Sequence, residues 1–436
     1  MRHASLAEWL GWLEQSHPVE IDLGLDRIRK VAKSLQLLKP RSKTITVAGT
    51  NGKGSCVTAC AALLQVAGHS VGVYTSPHLL LYAERIQVNG QAVQDSEICE
   101  AFEKIACAAE IVGLSLTYFE YGTLAALEIF KQHQVDFLVL EVGLGGRLDA
   151  INIIDADIAV ITSIALDHQA WLGDTRELIG REKAGILRAE KFFICTDSCP
   201  PQSILDVATE LKTKTYLIGC DFSHDIVKGK WSWQGIDRHG DTIYYHDMPL
   251  PQLPLPSVAG ALQVVSLLDI NLSLTAIKST LNSLRLAGRF QKLSHKNREF
   301  ILDVAHNPAA TEYFSQRLMA EPNAGCTHAI VAMMADKDYA VSIANVAMLV
   351  DRWYVLDLEH ISRAAKPEVL VENILALNTT AKNMNSRLHN VKIPYVGDIN
   401  AIMRELLSVS ELGDRVIVFG SFYTVAAALS YLQTNQ

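Results

Sequence analysis

The sequence predicts two α/β domains, each built on a mainly parallel sheet, with a small antiparallel excursion inside the first. Three observations carry this expectation. Short continuous apolar runs alternate with helical patterns over the first two-thirds of the 436 residues. Strands buried on both faces of a parallel sheet read as such runs. The segment 215–256 then breaks the rhythm with aromatics, glycines and short alternating pieces, closed by the proline-rich "MPLPQLPLP". Finally, the alternation restarts at "REFILDVAHNP", just after "RLAGRFQ" at 285–291, which reads as a hinge. The expected division is therefore 1–287 and 288–436, in keeping with a length that suits more than one core.

In chain order, "MRHASLAEWLGWLEQ" reads as an amphipathic helix because Glu8 and Glu14 interrupt its apolar positions. "KTITVAG" is a strand and "SCVTACAALLQVAGH" a helix. "SVGVYTSPH" is a strand, "ALEIFKQHQ" a helix, and "VDFLVLEVG" and "ADIAVITSIALDH" two more strands. "TRELIGREKAGIL" is a helix and "KFFIC" a strand. The pieces "YLIGCDF", "KGKWSWQG" and "DTIYYHDMP" form the antiparallel excursion, and the helices "SVAGALQVVSLL" and "LTAIKSTLNSL" close the first domain. In the second domain "THAIVAMM", "RWYVLDL" and "DRVIVFGS" are strands, and "NTTAKNMNSRLHN" (378–390) reads as a polar surface loop.

Hydrophobic residues make up 49% and charged residues 20%, so the chain is globular. A net charge of −8 argues against a general nucleic-acid binder, which carries a basic face. No apolar run approaches the ~20 residues of a membrane span. Eight scattered cysteines without C-x-x-C spacing fit free thiols in a reducing compartment. The expectation is a cytoplasmic protein, and nothing in the sequence suggests an obligate interface, so a monomer.

In open parallel sheets ligands bind beyond the carboxyl ends of the strands. The first strand there meets Gly49-Thr50-Asn51-Gly52-Lys53-Gly54-Ser55, which resembles a phosphate-binding P-loop. The usual spacing G-x-x-x-x-G-K-[ST] fails, because it requires Gly where Val47 stands and Ser or Thr where Gly54 stands. The mechanism survives the shift. Glycines let the backbone turn its N–H groups inward, the following helix adds its positive end, and Lys53 supplies a point charge. Asn51, Gly52, Lys53, Gly54 and Ser55 are the expected ATP contacts. The next three strands end at Ser76, at Glu141 and at Asp167-His168. A hydroxyl and a carboxylate suit Mg²⁺, while a histidine suits Mn²⁺ or Zn²⁺ better. Each also has a plain reading: Ser76 as a cap, Glu141 as an ion-pair partner of Arg147, His168 as a loop histidine.

"GTNGKGS", "TSPHL", "EVGLGGRLDA", "DH", "REKAGI", "GRF" and "DVAHNP" occur in the order seen in the Mur ligase superfamily, which the chain resembles over nearly its whole length. The shifted loop is similar to that superfamily's own version. "IDLGLDRI" (21–28) and "TYFEYGT" (117–123) resemble its folate branch, whose members join L-glutamate to 7,8-dihydropteroate and to tetrahydrofolates. The resemblance implies a P-loop ATPase domain followed by a Rossmann-like glutamate-ligase domain. It implies ATP as substrate, sites for two Mg²⁺ and a monovalent cation, and an acyl phosphate that the amine of glutamate captures.

By motif position, Ser76, Glu141, His168 and Lys183 are then the implied metal ligands, Lys183 as a carbamate. Lys53, Lys183 and His168 are the implied catalytic residues. Ser257, Arg289 and Asp303 join the ATP contacts, although the family usually has Asn where Ser257 stands. Arg289, at the expected hinge, has the chemistry to clamp a phosphate, and Asp303 to accept from a ribose hydroxyl. The implied dihydropteroate contacts are Asp22, Leu23, Gly24, Thr117, Tyr118, Phe119, Glu120, Leu148, Asp149 and Ala150. Those for glutamate are Arg85, His306 and Ser421. Without the resemblance, Lys183 reads as a solvated helix lysine, Tyr118 and Phe119 as core aromatics, and Asp303 as a helix cap.

Three alternatives differ in class or substrate. A P-loop regulatory ATPase would hydrolyse ATP without an acid and an amine. A peptidoglycan-type Mur ligase would need a uridine-nucleotide domain, and only about 43 residues precede the first strand. A monofunctional folylpolyglutamate synthase would perform one of the two folate reactions.

Overall fold

The chain divides into a first unit of residues 1–284 and a second of residues 285–436. The computed structural model describes residues 2–19, 21–382 and 394–435. The first unit opens with α1 (Leu6–Leu13) and α2 (Asp26–Ser34), and then β1 (Lys43–Ala48) feeds α3 (Lys53–Val66). Next come β2 (Val71–Tyr74), the short β3 (Ile86–Val88) and β4 (Gln91–Ala92), α4 (Asp95–Val112) and α5 (Tyr118–His133). The chain continues through β5 (Phe137–Glu141), β6 (Ile158–Ile161), α6 (Gln169–Leu172) and α7 (Arg176–Ala184). It passes β7 (Phe192–Cys195), α8 (Gln202–Glu210) and β8 (Lys214–Leu217). The unit ends in β9 (Ser223–Val227), β10 (Lys230–Ile236), β11 (Thr242–Pro249), α9 (Leu255–Leu267) and α10 (Leu274–Ser283).

Eight of these strands form one sheet in the order β4-β3-β2-β5-β1-β6-β7-β8, parallel from β2 to β8. The strand after β1 lies beyond β5, while the strand after β5 lies on the far side of β1. The order therefore reverses at β1, and the carboxyl end of β1 is the place where an open sheet makes its binding crevice. Every residue of β2, β5 and β6 is buried, as is every residue of β1 after Lys43. That is why these strands read as unbroken apolar runs. Helices α1, α2, α4 and α5 cover one face around Trp9, Phe102 and Phe130. Ile179, Ile186, Phe193 and Ile204 fill the other face beneath α7 and α8.

Three expectations for this unit shift. Residues 214–217 belong to the main sheet, because β8 pairs in parallel with β7, and the antiparallel excursion is β9–β10–β11 only. The helix expected from Ala126 begins at Tyr118, where Thr117 accepts from the Glu120 N–H and Glu120 returns a bond to the Thr117 N–H. This capping box starts a helix without any change in apolar pattern. The strands expected to run to His78 and His168 end at Tyr74 and Ile161, so both polar segments are loops.

The second unit contains β12 (Gln291–His295), β13 (Arg298–Leu302), α11 (Pro308–Ala320), β14 (Thr327–Val331) and α12 (Tyr339–Ala347). These are followed by β15 (Arg352–Leu356), α13 (Pro367–Lys382), β16 (Tyr395–Gly397), α14 (Ile399–Val409), β17 (Arg415–Phe419) and α15 (Phe422–Thr434). Its sheet runs β12-β13-β17-β14-β15-β16, parallel except for the β12–β13 hairpin. The hinge reading of 285–291 stops where β12 begins. The loop expected at 378–390 is helix as far as Lys382, and its remainder lies outside the described residues. No helix among the described residues is long and apolar enough to cross a membrane.

Candidate active site

The loop after β1 folds as its glycines allow. Gly49 has φ +148°, and a Cβ there would lie 1.7 Å from Thr162 Oγ1. Gly52 caps α3 at φ +88°, a left-handed conformation natural to glycine. Lys53 begins the helix and curls back, its Nζ donating to the carbonyls of Gly49 (3.1 Å) and Thr50 (3.2 Å). Ser55 is buried in the first turn. Ser257, at the start of α9, donates to the Gly52 carbonyl at 3.2 Å. Serine thus stands behind the loop and braces it.

A second loop, 162–168, locks onto the first. The Thr50 N–H donates to the Ser163 carbonyl (2.7 Å), and the Thr50 hydroxyl exchanges bonds with the Ala165 backbone at 3.1 Å in both directions. Thr162 Oγ1 donates to the Asn51 carbonyl at 2.7 Å. From behind, Asp197 Oδ2 accepts from the Ile164 N–H (2.7 Å) and from Arg176 (3.0 Å). This loop delivers Asp167 and His168. His168 sits at φ +51° as the residue before α6, a conformation uncommon outside glycine. Thr50, Thr162, Arg176 and Asp197 were not singled out in the sequence. Their roles are hydrogen bonds to distant backbone, which leave no pattern in a linear chain.

Glu141 ends β5, buried, and the Ser76 N–H approaches its Oε2 at 3.4 Å. The Arg147 guanidinium holds Glu182 at 2.8 Å. The turn 143–147 instead presses on α7. A Cβ on Gly146 would lie 2.8 Å from the Glu182 carbonyl, and one on Gly185 would lie 2.4 Å from Arg147 Cβ. This close approach seats Lys183 inside the protein with 4% of its surface exposed. The reading of Lys183 as a solvated helix lysine is thereby overturned. Burial, reinforced by the nearby charge of Lys53 and opposed by Asp167 and Asp149, pulls its pKa down to about 7. Burial likewise pushes Asp149 up to about 6, against hydrogen bonds from Leu144, Ile151 and Gly143 N–H groups. Lys53, Lys183, Asp149 and Asp167 therefore share one electrostatic neighbourhood.

Among the described residues no three His, Cys, Asp or Glu side chains converge as a metal cage. The expected set contains only two residues of those types, with a serine and a lysine, so this absence does not bear on it. The carboxylate of Glu141 beside Ser76 offers hard oxygen donors of the kind that suit a small divalent cation retaining phosphate and water oxygens.

The segments expected to meet dihydropteroate are joined by a residue not singled out before. Arg27 bonds Glu120 Oε2 (2.9 Å) and Asp22 Oδ2 (2.5 Å). Leu23 and Gly24 lie in the loop ahead of α2, while Leu148 and Ala150 flank the buried Asp149. Phe119 lies against Gly143, where a Cβ would come within 2.6 Å of the ring, and 5.9 Å from Tyr74. Tyr118 lies under Arg85, whose Cζ is 5.6 Å from its ring and 5.3 Å from that of Tyr82. Arg85 Nε donates to His78 Nδ1 at 2.8 Å, and burial together with that cation lowers His78 to about 4.

In the second unit Asp303 follows β13 and accepts from the Phe290 and Ala305 N–H groups at 2.8 and 2.9 Å. Burial raises its pKa against the charge of Arg289. Arg289 Cζ lies 5.6 Å from the Phe422 ring. His306 Nδ1 is 2.8 Å from the Val304 carbonyl. Ser421 caps α15, accepting from the Thr424 N–H at 3.0 Å and pairing with Thr424 Oγ1 at 2.7 Å. The helix cap after β13 is Asn307, so Asp303 does not fill that role.

The sequence matches the Mur ligase middle domain over residues 47–243 and the Mur ligase glutamate ligase domain over residues 288–422. It is 42% identical to the dihydrofolate synthase/folylpolyglutamate synthase of Escherichia coli K12 over 434 residues, covering 99% of this chain and 96% of that protein. Identity to the Haemophilus influenzae protein of the same name is 37% over 438 residues, with 97% and 96% covered. The fold superposes on E. coli FolC in complex with DHPP and ADP with a TM-score of 0.89, covering 99% and 98% of the two chains at 42% identity. A bifunctional folylpolyglutamate synthase/dihydrofolate synthase with Mn, AMPPNP and L-glutamate bound gives 0.88 at the same identity and coverage.

Proposed function

The chain belongs to the Mur ligase family, and from that membership we infer that it is an ATP-dependent ligase adding L-glutamate to 7,8-dihydropteroate and to tetrahydrofolates. The acid's carboxylate attacks the γ-phosphorus of ATP and ADP departs. The glutamate amine then attacks the acyl carbon, inorganic phosphate leaves and an amide remains. One observation supports this reading above the others: the phosphate loop, with Lys53 on it, is bolted to the 162–168 loop beside the buried Lys183.

Asn51, Gly52, Gly54 and Ser55 present the loop that cradles the triphosphate, and Ser257 supports it from behind. Lys53 swings from its carbonyls to the phosphates. Two anions must approach within ~3 to 3.5 Å, and fixed cationic charge offsets their repulsion. Ser76, Glu141, His168 and a carbamylated Lys183 would hold divalent ions, Mg²⁺ in our reading and two in number. Such ions supply charge neutralisation of the phosphates when bound. Carbamylation turns the Lys183 cation into an oxygen donor, and a low pKa makes the amine available for it. A monovalent cation completes the proposed set.

Asp22, Leu23, Gly24, Thr117, Tyr118, Phe119 and Glu120, with Leu148, Asp149 and Ala150, form the proposed wall for the pterin. Aromatic rings there stack, while carboxylates accept from amino and ring N–H groups. Arg85 is proposed to meet a substrate carboxylate. In the second unit Arg289 and Asp303 are proposed for the nucleotide, and His306 and Ser421 for glutamate, Ser421 through the helix end it caps. The domain assignment is 1–287 for ATP binding and 288–436 for glutamate ligation. We take the enzyme to be a cytoplasmic monomer.

The test is purified protein with ATP, Mg²⁺ and labelled glutamate, offered dihydropteroate or a tetrahydrofolate in turn. Both acids should yield glutamylated product, ADP should appear only when acid and amine are both present, and Lys53→Ala should abolish both reactions. Product with one acid alone would reduce the assignment to one activity. ADP release without acceptor would point to a regulatory ATPase.

A further inference from the structure

Arg27 has no part in the scheme above, yet it ties together stretches of chain that lie far apart in sequence. Its Nε donates to Glu120 Oε2 at 2.9 Å across 93 positions. Its other arm holds the Asp22 carboxylate at 2.5 Å and the Asp22 carbonyl. Asp22 also meets His17 Nε2 at 3.3 Å, and His17 Nδ1 meets Ser115 Oγ at 3.0 Å. Glu120 is 3% exposed. Its Oε2 takes the Thr117 N–H at 2.8 Å as well as Arg27, while its Oε1 is buried with no hydrogen-bond partner among the described residues.

The capping box accounts for Oε2. It accounts for neither Oε1 nor Arg27. Most buried carboxylate oxygens find a donor, so an orphan in a wall read as ligand-facing marks a place where a ligand donates. We propose that Arg27 is a positioning residue for the acid substrate, holding Glu120 aimed so that Oε1 accepts from the N–H groups of an amino-substituted heterocycle, the pterin ring. The inference rests on reading 22–24 and 117–120 as the pterin wall. A guanidinium suits the task because its rigid planar fork holds two carboxylate groups in fixed directions.

The experiment compares Arg27→Met, Arg27→Lys, Glu120→Gln and the Arg27→Met/Glu120→Gln double variant in the full-length protein. It measures KM for dihydropteroate, ATP and glutamate, with thermal unfolding as a check on folding. Arg27→Met should raise KM for dihydropteroate about tenfold or more and leave KM for ATP and glutamate within about twofold. Arg27→Lys should recover part of the loss. Glu120→Gln should raise the same KM, and the double variant should match it, because Arg27 acts through Glu120. If Glu120→Gln binds dihydropteroate normally, the reading of the wall fails. If Glu120→Gln is impaired while Arg27→Met is normal, or if both arginine variants lose all substrates and stability alike, the role given to Arg27 fails.

Discussion

Replacing Lys183 with Met tests the electrostatics of the site most directly. Lys183 is buried in α7, and its pKa falls from the ordinary 10.5 to about 7. At pH 7.5 about three-quarters of the side chain is then the free amine, against about one in a thousand for an ordinary lysine. Only the free amine reacts with CO₂. The same shift makes a statement about stability. Between about 7 and 10.5 the unfolded chain holds a proton that the folded chain does not, so stability rises with pH across that window. The penalty is fully present below about pH 7 and gone above about 10.5. A shift of roughly 3.5 units corresponds to about 5 kcal/mol, an upper figure because Asp149 and Asp167 lose a partner in the variant. In CO₂-free buffer, urea denaturation should show Lys183→Met gaining on the wild type as pH falls from 9 to 6.5. Activity of the wild type should drop when CO₂ is removed and return with bicarbonate, with a carbamate signal from ¹³CO₂ by NMR. The variant should be inactive and unresponsive. Parallel stability curves for the two proteins, or full wild-type turnover without CO₂, would refute the reasoning.

Three further outcomes follow from the geometry. Gly49→Ala places a Cβ 1.7 Å from Thr162 Oγ1 at φ +148°, so the phosphate loop should be displaced. ATP binding measured by calorimetry should be lost and the melting temperature lowered by several degrees, whereas Gly68→Ala, with open space around its Cβ, should keep ATP binding. Ser257→Ala removes one hydrogen bond to the Gly52 carbonyl, which is worth about 1 kcal/mol, so KM for ATP should rise a few-fold with kcat nearly unchanged. In the second unit His328 is buried against Asp414 at 3.1 Å. Burial depresses His328, and Asp414 is held low by hydrogen bonds against its own burial. Both groups then lose stability as pH falls, His328 once pH drops below its unfolded pKa and Asp414 further down. Tryptophan fluorescence of Trp353, near this cluster, should report acid unfolding of the second unit beginning below about pH 6.5, at a lower pH in a stably folded His328→Gln variant.

The candidate segments stand out in the sequence because each breaks a local rule. Glycines crowd a strand-to-helix junction at 49–54, and polar residues interrupt apolar runs at 76, 141 and 168. Such features are written in neighbouring residues, and so is the parallel fold, since burial on both faces of β1, β2, β5 and β6 demands unbroken apolar strands. What sequence could not show is whatever depends on residues far apart along the chain. Thr162 under Asn51, Asp197 behind Ile164 and Arg27 between Asp22 and Glu120 act across separations of 111, 33 and 93 residues in the last-named pairs of each contact. Lys183 shows the difference most plainly. Its sequence neighbours, Arg181 and Glu182, suit a solvated helix, and only the close seating of Gly146 on α7, with Gly185 at that helix's end against Arg147, takes its amine out of water. Solvation and hydrogen bonding belong to the folded surroundings of a side chain, so tertiary structure alone decided the charge state of that lysine, while the alternation of strands and helices and the glycine-rich turn at 49–54 were already written in short-range pattern.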